Sequence, residues 1–243
     1  MQSYSPPHEL ESANQRNSHM KRTQRMGGQS HTLHTEADLR RGVRALKRKC
    51  PHLARVHTRT GDPPLRRHAP GFEGLARIIV GQQLSIASAE AIWGRLVTAL
   101  RPMTPTAFLT LDDEALRQAG LSRGKVRTLR AASEAIANGL DLATLADAPE
   151  DAVHAALTAV PGIGPWSADI FLLFCLGRAD AFAAGDLALQ TAAMSALDLK
   201  ERPSREALLS IAERWRPWRG VAAHLLWADY KLAAIRRKDL KSA

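Results

Sequence analysis

Val160-Pro161-Gly162-Ile163-Gly164-Pro165-Trp166-Ser167-Ala168 is the stretch on which the reading of this chain turns. Before it, Val153, Leu157 and Val160 recur at helical spacing, and after it Ala168, Phe171, Leu172 and Cys175 do the same. The spacing predicts two helices joined by a tight turn. Glycines at 162 and 164 permit positive φ and close approach of another surface. Such a turn leaves amide N–H groups bare beside a helix start, a setting suited to a phosphate oxygen. Ile163, between the glycines, would plug the turn into the core. A purely structural helix–helix turn would carry the same pattern.

Outward from this hairpin the chain alternates Ala/Leu-rich helical segments with short Gly/Pro breaks. Phe72, Leu75, Ile78 and Ile79 share a face, and Ile86, Ala89, Ile92, Trp93, Leu96 and Leu100 continue it after Gly81. Val126, Leu129, Ala132 and Ile136 form another face, ended by Gly139. Segments 187–198, 204–215 and 219–237 also read as helices. Period-two alternation is almost absent, so the fold class is all-α. Towards the N-terminus, Thr35 can cap a helix carrying Leu39, Val43 and Leu46, with Asp38 completing a weak capping box. That helix, at about 36–50, is expected to pack on the core. TRTGDPPLRRHAPG (58–71) reads as a loop. Residues 1–34, rich in Ser, Gln, Asn, His and Arg, read as a disordered basic leader before a helical domain over 35–243.

The chain has 243 residues and a formal net charge of +10. Residues 1–69 hold 14 Lys and Arg against 5 Asp and Glu, so most of the excess lies near the N-terminus. A basic chain suggests a polyanionic partner, though a solubilising leader would give the same balance. No apolar run reaches the length of a membrane span, and the N-terminus has no signal-peptide core. Two cysteines, Cys50 and Cys175, are too few for a disulfide framework or a four-cysteine metal site. A reducing, cytoplasmic setting is the expectation, beside the nucleoid if the source is bacterial. Asp186 follows a glycine and precedes a helical pattern, the place of an N-cap.

Four blocks now carry a resemblance: FEGLARIIVGQQLSIASAEAIWGRL (72–96), VPGIGPWSADI (160–170), GRADAFAAGDLALQ (177–190) and ERWRPWRGVAAHLLWADYK (213–231). In this order they resemble the helix-hairpin-helix DNA glycosylase superfamily, and within it the DNA-3-methyladenine glycosylase II, AlkA-like branch. The resemblance covers about residues 70–232 and implies two helical subdomains with a cleft between them. Longer relatives carry a mixed α/β domain before the helical core. Only about 70 residues precede the Phe72 block, so that domain is expected to be missing.

The resemblance gives Asp186 the catalytic role, because the superfamily places its acid at this distance beyond the hairpin. Breaking an N-glycosidic bond develops positive charge on the sugar, which a fixed carboxylate stabilises while it orients or deprotonates water. An alkylated purine with formal positive charge is already a good leaving group and needs little acid catalysis. Bifunctional relatives place a lysine nucleophile two residues after the second hairpin glycine, whereas this chain has Trp166 there. Trp166 cannot form a Schiff base, so the implied activity is base release without strand cleavage.

The implied partner is damaged DNA, double-stranded, bound by a monomer with the target base flipped out. Trp166 and Trp227 match positions that line the family's base pocket, and Ile170 stands where better-known relatives carry an aromatic. The wedge that fills the vacated stack would come from Gln82, Gln83 and Leu84. Phosphate contacts would come from Gly162, Ile163 and Gly164 and from Lys125, at a helix start. Trp215 and Trp218 read as packing residues, and His154 and His224 as structural. No side-chain metal cluster or organic cofactor is expected, while a monovalent cation on the hairpin carbonyls is implied by the family. Alternatives are a glycosylase for uracil, etheno or deaminated bases, a non-catalytic helix-hairpin-helix module, and DNA binding by the leader alone.

Overall fold

A computed structural model describes residues 31–242 of the chain; nearly all of the expected leader therefore lies outside the described residues. The described part is helical, and its one extended pairing is an isolated antiparallel bridge between Thr32 and Arg178.

Helix α1 (Glu36–Lys49) starts as its sequence predicts. The Thr35 hydroxyl accepts the Asp38 N–H, and the Asp38 carboxylate accepts the Thr35 N–H at 3.0 Å. Lys47, Arg48 and Lys49 close its last turn, where cations oppose the negative end of the helix dipole. A second helix, α2 (Pro51–Thr60), follows at once. It takes in residues 58–60, which the sequence assigns to a loop. Pro51 needs no hydrogen-bond partner at a helix start, so the chain can restart after Cys50.

Helices α3 (Phe72–Gly81) and α4 (Ile86–Ala99) pack on each other across the Gln82–Ser85 turn. Short α5 (Pro105–Thr110) and α6 (Asp113–Gln118) lead to α7 (Arg123–Ala137), which packs against α5 and α3. The hairpin follows: α8 (Glu150–Thr158), the glycine turn, and α9 (Pro165–Ile170). Beyond α9 the backbone widens into a π-helical segment, Phe171–Cys175, all five residues of which are buried. Such widened turns recur at functional sites because they rotate the side chains that follow. Last come α10 (Leu187–Ala196), α11 (Arg205–Ala212) and α12 (Arg219–Ser242).

The packing sorts these helices into two groups, with α11 joining the first through α10. The N-terminal α1 and α2 pack on α12, and α2 and α12 also pack on α10. Helices α3 to α9 form the other group, joined to each other through α3 and α7. Leu33, Leu39, Leu46 and Leu53 from the N-terminal part are fully buried, so the expected docking of the first helix is what the chain does.

Residues 31–34, expected to be disordered, are instead docked. Leu33 donates its N–H to Gly177 O at 2.7 Å, His31 O accepts from Ala179 N at 2.9 Å, and the His31 ring stacks on Trp218. The reason is local: Leu33 is the one apolar residue beside a segment with free backbone groups, and it fills a gap in the core.

Candidate active site

Asp186 is the N-cap of α10, and three N–H groups aim its carboxylate. Leu189 N donates to Oδ1 at 2.9 Å, the Trp227 indole N–H to Oδ1 at 3.2 Å, and the Trp166 indole N–H to Oδ2 at 2.9 Å. Asp186 is half-buried, and its neighbour Leu187 is 63% exposed, so the carboxylate stands at an open edge. The expected catalytic acid and both expected pocket tryptophans thus converge on one point. The tryptophans do more than the sequence suggests, since their indole nitrogens orient the acid.

Loop 177–185 carries Asp186 and is pinned at its base. Asp180 accepts from the Arg216 guanidinium at 2.7 Å, from the Arg219 guanidinium at 3.0 Å, and from the Arg219 backbone N–H at 3.1 Å. Gly220 N donates to Ala179 O at 2.8 Å, and a Cβ at 220 would sit 2.6 Å from Leu173 Cδ1 and 2.8 Å from Ala179 O. The absence of a side chain there lets α12 press on the loop, which sets Trp227 against Asp186. Trp215 and Trp218 are buried packing residues, as their block suggests.

The hairpin is built as read. Gly162 has φ +87°, and a Cβ on it would fall 1.9 Å from Thr128 Oγ1. Ile163 is buried and plugs the turn into the core. His154 of α8 pairs with Asp169 of α9 at 3.3 Å, bracing the two hairpin helices. Burial raises the Asp169 carboxyl to about 6, against the opposing pull of His154. Ile170 is buried one turn beyond Trp166 on the same helix.

Two of the residues expected to touch DNA are turned inward. The Gln82 side-chain amide donates to Gly162 O at 3.2 Å and to Ser167 Oγ at 2.9 Å. The Lys125 ammonium donates to Ile79 O at 3.2 Å, to Val80 O and to Gln82 O at 2.8 Å. All three of its donors are used, and it caps the carbonyl end of α3 rather than offering a phosphate contact. Burial lowers the Lys125 pKa. The tip of this braced turn is left to the exposed Gln83, with φ +55°, and to Leu84. Left-handed backbone at a residue with a side chain is held by the surrounding structure and is frequent at functional positions.

Sequence reasoning also missed a wall of the site. Residues 66–68, within the segment read as a plain loop, run beside the tryptophan cluster. The Arg66 guanidinium carbon lies 5.6 Å from the Trp227 ring centroid. His68 meets Phe174 edge-on at 5.5 Å, and Phe174 lies 5.6 Å from Trp227 and 5.7 Å from His224. His224 Nδ1–H donates to Gly220 O at 2.8 Å, while its buried Nε2 has no partner among the described residues. Burial pushes the His224 imidazole down to about 4, and nearby Arg66 adds to the shift. The missed signal was the adjacent arginine pair in a Pro-rich stretch, which composition alone reads as solvated.

These features agree with the comparisons to known proteins. A profile described as HhH-GPD superfamily base excision DNA repair protein matches residues 76–217. DNA-3-methyladenine glycosylase 1 of Schizosaccharomyces pombe is 31% identical over 168 residues, covering 67% of this chain and 73% of the relative. The solved structure of a Bacillus halodurans DNA-3-methyladenine glycosidase is similar at TM-score 0.68 and 33% identity, over 79% of this chain and 90% of that one. An S. pombe 3-methyladenine DNA glycosylase solved with abasic DNA is similar at TM-score 0.68 and 26% identity, over 74% of this chain and 95% of that one. The hairpin, the acid capping α10 and the tryptophans that aim it sit within a chain that belongs to the helix-hairpin-helix base excision DNA repair superfamily, in its AlkA-like branch.

Proposed function

We propose that this protein removes alkylated bases, of the 3-methyladenine and 7-methylguanine type, from double-stranded DNA by hydrolysing the N-glycosidic bond and leaves an abasic site. The observation that carries this reading is the Asp186 carboxylate, held by the indole N–H groups of Trp166 and Trp227 at 2.9 and 3.2 Å. The names of the relatives support the substrate class.

The damaged base leaves the stack and enters beside Trp227. As the glycosidic bond lengthens, the sugar gains positive charge, and the pre-aimed carboxylate stabilises it without having to reorganise. Asp186 then takes a proton from the water that attacks C1′. Gln83 and Leu84, on the braced turn, fill the space left in the duplex. The backbone amides of Gly162 and Gly164 face a phosphate. The turn carbonyls of Val160 and Gly162 each accept one N–H and keep a lone pair. They are the atoms that would hold a monovalent cation, whose charge would draw a phosphate to the turn.

Strand cleavage through a Schiff base needs an amine where this chain has Trp166, so the product is an intact strand carrying an abasic site. The protein acts as a monomer in this reading. Two free, buried cysteines fit a reducing compartment, and the setting proposed is cytoplasmic.

The test is base release from methylated duplex DNA by the intact protein and by Asp186→Asn, with alkali added afterwards to reveal abasic sites. Release that is lost in the variant, with breaks only after alkali, is expected. DNA binding without release by the intact protein would overturn the reading.

A further inference from the structure

Arg66 is a charged side chain inside the site with no task in the reaction described so far. The two residues that follow it are anchored to different parts of the chain. Arg67 donates to Leu33 O at 3.2 Å, and a Cβ at Gly177 would meet its Nη1, so Arg67 faces the docked residues 31–34. The His68 N–H donates to Phe174 O at 3.0 Å, and its ring packs on Phe174. Arg66 and His68 meet the same aromatic cluster, His68 against Phe174 and Arg66 against Trp227. The Arg66 guanidinium lies over the Trp227 ring, whose N–H edge touches Asp186. Among the described residues Arg66 has no hydrogen-bonding carboxylate or carbonyl partner; burial lowers its pKa, and the charge of Asp186 opposes that shift. A guanidinium carries five N–H donors and no acceptor, so most of these donors are left for whatever enters the pocket.

We propose that Arg66 determines specificity by extending the range of the site to neutral damaged bases with an exocyclic carbonyl oxygen, whose departure it assists, while giving no such help to bases that carry formal positive charge. This inference rests on the glycosylase reading of the same site. Breakage of the bond between C1′ and the base sends its electron pair to the base. A cationic base departs neutral, and a neutral base departs as an anion with charge on its carbonyl oxygen. The water oxygen bonds to C1′. Its proton passes through Asp186 to the departing anion, or to solvent when the base departs neutral. Arg66 donates to the carbonyl oxygen as that charge develops, and a hydrogen bond to a charged group in a half-dry site strengthens along the reaction. Towards a cationic base the same guanidinium is a like charge and gives no help.

The experiment compares full-length protein with Arg66→Met and Arg66→Lys on duplexes holding one hypoxanthine (neutral) or one 7-methylguanine (cationic), read as kcat/KM, with thermal melts of each variant. The intact protein is expected to release both bases. Arg66→Met is expected to lose about 10- to 100-fold on hypoxanthine, the range for one charge-assisted hydrogen bond. It should stay within about threefold on 7-methylguanine or improve, with Arg66→Lys between the two on hypoxanthine. An equal loss on both bases would make Arg66 a general DNA contact and overturn the proposal, as would an unchanged ratio or intact protein that releases only 7-methylguanine. Intact protein that binds both duplexes and releases neither base would overturn the glycosylase reading itself, and the selectivity with it.

Discussion

The indole N–H of Trp166 donates to Asp186 Oδ2 at 2.9 Å, so the residue that follows the hairpin turn holds the acid 20 positions away. Trp166→Phe keeps the ring and removes the donor. A hydrogen bond to a charged group contributes about 1.5–3 kcal/mol, so kcat for base release should fall about 10- to 100-fold. The variant should melt close to the parent, because Leu189 N and Trp227 still hold the carboxylate. Single-turnover release beside a thermal melt checks both parts.

Lys125 distinguishes a brace from a phosphate contact. Lys125→Met leaves the carbonyls of Ile79, Val80 and Gln82 without their cation. The expected cost is about 1–3 kcal/mol of stability. The slope of log K against log salt for DNA binding should be unchanged. Loss of a direct phosphate contact would instead shrink that slope by about one.

Gly162→Ala meets two obstacles, a φ of +87° and a Cβ 1.9 Å from Thr128 Oγ1. The left-handed backbone alone costs about 1–2 kcal/mol for a residue with a side chain. The double change with Thr128→Ala removes the Oγ1 clash and leaves the backbone term. It should recover part of the lost stability, measurable as a non-additive pair in denaturant titrations.

His224 predicts an acid dependence. Its imidazole is held down to about 4 by burial, against an ordinary value of 6.5, so between these values the unfolded chain binds a proton that the folded chain does not. Stability from this group is complete above pH 6.5 and is lost as pH falls through 4, by about 3 kcal/mol in all. His224→Phe retains edge contacts with Phe174 and Trp227 and should flatten that part of the stability curve. Denaturant midpoints for both proteins from pH 7.5 to about 4 are the measurement, the range being set by the two pKa values.

What the sequence makes legible is what repeats or caps locally. The Thr35–Asp38 box, the apolar faces of α3, α7 and α8, and the glycine turn each rest on residues within a few positions of one another. Asp186 with its tryptophans was reachable through the family blocks, because the resemblance singles out those positions. The inward turn of Lys125 was not legible, since its acceptors lie 43 to 46 residues earlier and a lysine at a helix start otherwise faces water. The role of Gln82 was hidden for the same reason: its partners, Gly162 and Ser167, are 80 and 85 residues away. Arg66 is invisible to periodicity because it stands between helices, and only the packing of residues 66–68 against Phe174 and Trp227 reveals it.

The docked strap at residues 31–34 moves the boundary at which the protein can be shortened. Composition puts the cut before Thr35, and a protein trimmed there would keep its first helical cap. It would lose the backbone pairing of Leu33 with Gly177 and of His31 with Ala179, along with the ring stacked on Trp218. Gly177 and Ala179 begin the very loop that ends in Asp186, so the damage would reach the acid from behind. Four residues of an unpromising tail thus act as a fastener for the reaction centre, and a trimmed protein that folds yet turns over slowly is the signature of having removed it.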